Sequence, residues 1–396
     1  MSLTDTPNAN RLHIALFGRR NSGKSSLINA LTGQDIALVS NTPGTTTDLV
    51  SKAMEIQGIG PCLFIDTPGF DDEGELGELR ISRTLKAIEK TDIALLLCED
   101  TTFFHEKEIL ALLKEKNIPV IPVLNKIDIR ENSDHLATYI EEQCKISPLL
   151  ISAKEKIGIE LIRQAILEKL PSDFGQQSIT RELVTENDLV LLVMPQDIQA
   201  PKGRLILPQV QTIRELLDKK CLVMTCTTDK FSATLQALVR PPKLIITDSQ
   251  VFKAIYEQKP KESELTSFSV LFAGYKGDIH YYVESAAVIE RLTESSRVLI
   301  AEACTHAPLS EDIGRVKLPR LLRKRIGENL QIDMVAGTDF PQDLTPYSLV
   351  IHCGACMFNR KYVLSRIERA REQHIPMTNY GVAIAFLNGI LDQIKY

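Results

Sequence analysis

No apolar run in this 396-residue chain approaches the roughly 18 residues of a membrane-spanning helix; the longest, such as Ile93 to Leu97 and Leu189 to Met194, have the length of buried strands. The opening MSLTDTPNANRLHIALFG lacks a basic segment followed by a long apolar one, so no secretory leader is expected and the reading is a soluble, cytoplasmic protein. Cysteine is scarce: 8 residues are too few for a disulfide scaffold, which leaves buried hydrophobe, metal ligand or nucleophile as their roles. There is no excess of positive charge either. A formal net charge of -5 and a pI near 5.9 argue against a generic nucleic-acid coat or a polybasic membrane binder. Low-complexity segments and short-period repeats are absent. The 44% apolar and 24% charged content is that of an ordinary globular protein, and at roughly 150 residues per domain the length allows two or three domains.

From His13 to about Leu170, short apolar runs (HIALF, CLFID, IALLLC, VIPVLN, LLISA) alternate with amphipathic stretches at Lys24 to Leu31, Ile81 to Glu89, Lys107 to Lys116 and Ile159 to Leu170. This alternation implies right-handed crossovers and a parallel sheet. PSDFGQQS after the last helix reads as a linker. A second alternating block runs through DLVLLVMP, CLVMTC and KLIIT, with helices at Val210 to Leu217 and Phe231 to Leu238. The charged, Pro-bearing EQKPKESELTS leads to a third block, expected to open with FSVLFAG as a strand. It continues through a helix at Tyr282 to Leu292, RVLIAEAC, Leu318 to Ile326, QIDMVAG, YSLVIHC and Lys361 to Gln373. The expected architecture is α/β throughout: a P-loop domain with a parallel sheet over 8–172, then two smaller α/β domains with mainly parallel sheets over 178–262 and 266–396.

Gly18-Arg19-Arg20-Asn21-Ser22-Gly23-Lys24-Ser25 fits G-x-x-x-x-G-K-[ST] between a strand and a helix. In such a loop the backbone N–H groups and the helix start cradle phosphates. Lys24 reaches the β and γ phosphates, Ser25 ligates Mg²⁺, and Ser22, Gly23 and Ser26 complete the wrap. Asp66-Thr67-Pro68-Gly69 ends the next strand, with Asp66 placed for Mg²⁺ and the Gly69 N–H for the γ phosphate. Asn125-Lys126-Ile127-Asp128 supplies a carboxylate for the guanine N1 and N2 edge, and Ser152-Ala153-Lys154 a backbone N–H for guanine O6. Each short motif is weak alone; their order makes the set specific. Between the first two, Thr42-Pro43-Gly44-Thr45-Thr46-Thr47-Asp48 reads as a switch loop.

With an Asn inside the first loop and PGTTxD in the switch, the segment resembles the GTPases close to the tRNA-modification GTPase and Era. That resemblance implies GTP and GDP as ligands, Thr46 on Mg²⁺, and Asn21 with Thr45 around a K⁺ that replaces an arginine finger. Phe70 stands where Ras-type enzymes carry their water-orienting Gln, which leaves the positioning of the attacking water open; Asp71, Asp72 and Glu73 read either as carboxylates close to that water or as a solvated acidic segment.

Cys353-Gly354-Ala355-Cys356 follows the apolar YSLVIH, and Cys304 with His306 follows RVLIAEA. Two parallel strands would bring Cys304, His306, His352, Cys353 and Cys356 to one sheet edge, where ligands bind. Zinc and iron-sulfur are both compatible with three Cys and a His. Cys62, Cys98, Cys144, Cys221 and Cys226 sit mostly in apolar runs and read as buried hydrophobes. Arg320, Arg323, Lys324 and Arg325 read as a solvated helix face, and Tyr380-Gly381 either lines the crevice or makes a turn.

A GTPase segment, two further blocks and this cysteine pattern together resemble the FeFe-hydrogenase maturation GTPases over the whole chain. The resemblance implies a 4Fe-4S cluster on Cys304, Cys353 and Cys356, with His306 and His352 close by or supplying the fourth ligand. It further implies a homodimer formed through the middle domain, and a scaffold that receives a diiron subcluster by way of two radical-SAM maturases and passes it to apo-hydrogenase. Neither a membrane nor a nucleic acid is an expected partner. The competing reading is an Era-like RNA or ribosome-associated GTPase with a structural zinc site.

Overall fold

The computed structural model describes residues 6–32, 50–56, 58–69, 83–171, 174–175, 177–195, 205–303 and 313–396. Two compact units divide the chain at Gln176 and Gln177. The first contains strands β1 (Leu12–Phe17), β2 (Val50–Ile56), β3 (Gly60–Asp66), β4 (Ile93–Cys98), β5 (Val120–Leu124) and β6 (Leu149–Leu150) in the spatial order β2-β3-β1-β4-β5-β6. All neighbours are parallel except β2 and β3, which form an antiparallel pair. The β2 edge strand extends the expected sheet.

β1 is buried along its whole length, as a parallel strand covered on both faces must be. Leu12, Ile14 and Leu16 enter one core with Leu27 and Ile162, and Ala15 and Phe17 enter the other with Leu96 and Leu113. The period of two therefore divides an unbroken apolar run between two helical layers. The chain leaves β1 toward β3 on one side and β4 on the other, so the crevice opens at the carboxyl end of β1. A helix at Ser133–Cys144, not anticipated above, buries Ile140 and Cys144 against this sheet.

The second unit holds two four-stranded, fully parallel sheets. One contains β7 (Leu189–Val193), β8 (Leu222–Cys226), β9 (Leu244–Thr247) and β10 (Glu264–Ser267), and the other β11 (Arg297–Glu302), β12 (Gln331–Ala336), β13 (Leu349–His352) and β14 (Met377–Asn379). Their orders, β10-β9-β7-β8 and β12-β11-β13-β14, are one topology repeated. The first strand of each sheet pairs with the second and third, and the fourth lies outside the third. The alternating pattern of the two later blocks allows distant internal copies, and the repeated strand order is that of a duplication. Leu191 and Val193 share a core with Leu299, Ala301 and Val350, so the two sheets are packed together.

FSVLFAG is not a strand. Phe268–Lys276 is a helix capped by the Ser267 hydroxyl, which accepts from the Val270 N–H. It is buried on nearly every side, and a short, uniformly apolar run carries no period to separate helix from strand. β10, which overlaps the expected start of the third domain at 266, belongs to the middle sheet. The segment expected as one helix to Leu292 changes from α-helix (Ile279–Ala286) to 3₁₀ turns (Ala287–Arg291).

Candidate functional site

Each of the four nucleotide motifs among the described residues lies at or just past the carboxyl end of a parallel strand: the glycine loop after β1, Asp66 at the end of β3, Asn125 after β5 and Ser152 after β6. Lys24, only 8% exposed, donates from Nζ to the Gly18 carbonyl at 2.9 Å and the Arg19 carbonyl at 2.7 Å, which holds the ammonium inside the curl of the loop. Ser25 Oγ donates to Asp66 Oδ2 at 2.7 Å, joining the two expected Mg²⁺ residues. Burial raises the Asp66 carboxyl above its ordinary value, against the opposing pull of Ser25 and Lys24. Its Oδ1 is buried without a hydrogen-bond partner. An orphaned carboxylate oxygen beside a serine hydroxyl and a lysine fits Mg²⁺ and phosphate.

Asn125 ties three motifs together: Nδ2 donates to the Ser22 carbonyl at 3.0 Å and Oδ1 accepts from the Ala153 N–H at 3.0 Å. The first loop and the base-binding loops are thereby locked to one amide, itself 4% exposed. Asp128 lies on an exposed turn, its carboxyl held below the usual range by a hydrogen bond from Ser152. Lys126, at φ 65°, pairs with Glu99 at 3.0 Å. Lys154 points outward against Glu155, Asn21 and Ser26 are exposed, and Gly69 is partly buried. Thr45, Thr46 and the rest of the switch, together with Phe70 to Glu73, lie outside the described residues.

Gly23 carries the tightest steric demand. At φ +91° it occupies the left-handed region, and a Cβ there would lie 2.2 Å from Asn125 Nδ2. Gly23→Ala is therefore expected to cost on the order of 1–3 kcal/mol of stability and to weaken guanine nucleotide binding by pushing Asn125 away from Ser22 and Ala153. Urea unfolding and a fluorescent-nucleotide titration measure the two effects.

In the second unit, the duplicated topology places its switch point between β11 and β13. β13 ends at His352, directly before Cys353, and β11 ends at Glu302. Cys353 Sγ accepts from the Ala303 N–H at 3.0 Å and the Ala355 N–H at 3.4 Å, with Ala355 at φ 51° turning the loop back. Burial pushes the Cys353 thiol up to about 11, and the two N–H groups work against that rise. Donors aimed at a sulfur favour its thiolate, the form that ligates soft metals. Cys356 is partly exposed, and among the described residues, its chain neighbours aside, nothing lies within 4 Å of where a Gly354 Cβ would project. The fit is therefore to a thiolate-held metal group. Cys304 and His306 lie outside the described residues, and among those described no group of three metal-binding side chains converges.

His352, expected as ligand or neighbour of the group, offers no free nitrogen. Its Nδ1 bonds to the Cys353 carbonyl at 2.8 Å and its Nε2 to Arg366 Nη1 at 2.8 Å. Burial and the adjacent Arg366 guanidinium lower it to about 3, so the ring is a neutral strut behind the loop. Tyr380 bonds through its hydroxyl to Glu302 at 3.5 Å, and Asn379 Nδ2 donates to the Cys353 carbonyl at 3.3 Å. Cys62, Cys98, Cys144 and Cys221 are buried, as read, and Cys226 is partly so. Arg320, Lys324 and Arg325 are exposed on a helix that buries Leu318 and Leu322.

Sequence reasoning missed Lys276 and Arg366, both buried beside the cysteine pair. Tyr362 and Arg366, four residues apart on the helix Arg360–Glu372, are the signal that could have drawn attention to the second.

Residues 13–126 match the family described as 50S ribosome-binding GTPase. The chain is 40% identical over 159 residues to the tRNA modification GTPase MnmE of Dechloromonas aromatica, covering 39% of this chain and 34% of that protein. It is 36% identical over 171 residues to the GTPase Der of Wolinella succinogenes, covering 40% and 35%. It thus spans about a third of the length of these curated relatives. Among solved structures, Aquifex aeolicus Era bound to GDP.AlF4- aligns over 54% of this chain and 92% of that one, at 22% identity and a TM-score of 0.35. Motif order, strand-end placement, the family match over residues 13–126 and the two curated GTPase relatives define a P-loop GTPase domain.

The remainder decides the family. Residues 179–277 match the hydrogen maturase F dimerization domain and residues 280–395 the hydrogen maturase F tetramerization domain. Together they span more than half of the chain, which belongs to the hydrogen maturase F family. The Era-like alternative is not favoured, because both later blocks are accounted for by these domains. No helix of the described residues is long and apolar enough to cross a membrane.

Proposed function

We propose that this protein hydrolyses GTP in its first unit and, in its second, holds a 4Fe-4S cluster on Cys304, Cys353 and Cys356, serving in the cytoplasm as the scaffold that delivers a diiron subcluster to apo FeFe-hydrogenase. The observation that carries the reading is the Cys353 to Cys356 loop at a sheet switch point. There, backbone N–H groups from the β11 and β13 ends meet on one sulfur, and among the described residues nothing but its chain neighbours adjoins the Cβ position of Gly354; in the sequence Cys304 follows the end of β11 by two residues.

Three thiolates leave one iron of a four-iron cluster without a cysteine, and such a site can accept a further metal fragment. Of the two histidines, His306 remains the candidate for that iron, since both nitrogens of His352 are engaged. In the GTPase unit Lys24 and the loop N–H groups bind the β and γ phosphates, and Ser25 and Asp66 hold Mg²⁺, which neutralises phosphate charge. Thr46 joins that Mg²⁺ from the switch, and Asn21 with Thr45 holds K⁺. Asp128 and the Ala153 N–H select guanine.

Self-association fits the edge strand β8, which leaves Leu222 and Met224 about half and two-fifths exposed (51% and 39%) on a sheet margin that no strand among the described residues pairs. Protein produced together with two radical-SAM maturases is expected to activate purified apo FeFe-hydrogenase, measured as hydrogen evolution, and protein produced without them is not. Equal activation by both preparations would remove the delivery role.

A further inference from the structure

Two cations are buried around the cysteine loop without a carboxylate partner among the described residues. Lys276, the last residue of the helix Phe268–Lys276, is 2% exposed, and its Nζ donates to the carbonyls of Phe358 at 2.6 Å, Ala355 at 3.3 Å and Cys356 at 3.4 Å. Three acceptors engage all three N–H bonds of an ammonium; a neutral amine has only two to give. Arg366 is 1% exposed. Its guanidinium carbon lies 4.6 Å from the ring centroids of Phe340 and Phe358 and 4.7 Å from that of Tyr362. Nη1 donates to His352 Nε2, and Nη2 to the Gly337 carbonyl at 2.6 Å and the Tyr362 hydroxyl at 3.3 Å.

Burying a charge is costly unless an opposite charge compensates it. Aromatic faces and carbonyl dipoles supply only part of that compensation. Arginine at this position also leaves Nε buried without a partner. Lys276 grips the loop that carries Cys356, and Arg366 reaches the carbonyl of Cys353 through His352. Around the pair, Lys276 and Arg366 supply positive charge and the Ala303 and Ala355 N–H groups supply donors, while the Glu302 carboxylate at the end of β11 is paired with Arg315.

We propose that Lys276 and Arg366 are the built-in counter-charge for an anionic iron-sulfur group on Cys353 and Cys356, and that they set how readily this group accepts an electron. The inference rests on the cluster reading above. A four-iron cluster ligated by thiolates is an anion and becomes more so on one-electron reduction, so each buried cation favours both its binding and its reduced state.

The test is a redox titration of the full-length protein, reconstituted anaerobically with iron and sulfide, reduced with dithionite and followed by EPR. Lys276→Met and Arg366→Met are compared with the charge-retaining Lys276→Arg and Arg366→Lys. Each methionine variant is expected to lower the reduced-to-oxidised ratio at a fixed potential at least tenfold, equivalent to about 59 mV for one electron, and the charge-retaining variants to stay near wild type. Loss of iron from a methionine variant, with retention in its charge-retaining partner, supports the assignment equally. If Arg366→Met does not fold, judged by circular dichroism, the Lys276 pair decides. Unchanged potentials in the folded methionine variants, or equal shifts in the charge-retaining ones, overturn the counter-charge role. A wild-type protein that takes up no iron overturns the cluster reading itself.

Discussion

Lys24→Ala is expected to lower kcat/KM for GTP hydrolysis roughly 10²–10³-fold, the scale set by removing one preorganised charge from a phosphoryl-transfer site. The ammonium is held 8% exposed by two loop carbonyls, so its position is fixed before any phosphate arrives. Stabilisation that is already organised costs nothing during reaction, and its loss falls on the transition state. Lys24→Arg will not restore activity, because a planar fork cannot replace a point charge inside so tight a curl. Phosphate release measures both variants. Iron content of the second unit should be unaffected, since the two units have separate cores.

Cys353→Ser is expected to have the mirror-image effect. The sulfur receives two backbone N–H groups, and a hard, protonated hydroxyl in its place cannot bind iron as a thiolate does. Removing a partner that only orients a metal ligand costs 10–100-fold in affinity, so losing the ligand itself should cost at least about a hundredfold. Cys356→Ser and Cys304→Ser are expected to behave alike, whereas Cys62→Ser and Cys221→Ser should retain iron, both residues being buried in apolar surroundings. Iron and sulfide assays on anaerobically reconstituted protein provide the comparison, and GTP hydrolysis in the same samples should be nearly unchanged.

Much of the nucleotide site was legible because its chemistry constrains residue type at fixed offsets from strands. Gly23 must be glycine for Asn125 to approach, and Lys24 sets its ammonium inside the loop on the Gly18 and Arg19 carbonyls. The cysteine pair was legible for the same reason: few residues bind soft metals. Packing was less so. Phe268–Lys276 read as a strand because burial on all sides erases periodicity, and the antiparallel β2 was hidden by its mixed sequence VSKAMEI at a sheet edge. Arg366 lay among Arg360, Arg369 and Arg371 on one helix, and only the fold distinguishes the caged guanidinium from its neighbours. Lys276 looked like an ordinary helix-terminal cation. Its carbonyl partners are some 80 residues away in the chain, a pairing no local pattern encodes.

The most direct test of the account is elemental analysis combined with EPR of the wild-type protein, reconstituted anaerobically, reduced, and then exposed to imidazole or cyanide. About four iron and four sulfide per chain are expected, with a cluster signal that shifts when the added ligand takes the iron that lacks a cysteine. Stoichiometric zinc without iron, a signal indifferent to every added ligand, or a fourth cysteine essential for iron would contradict a three-cysteine scaffold cluster.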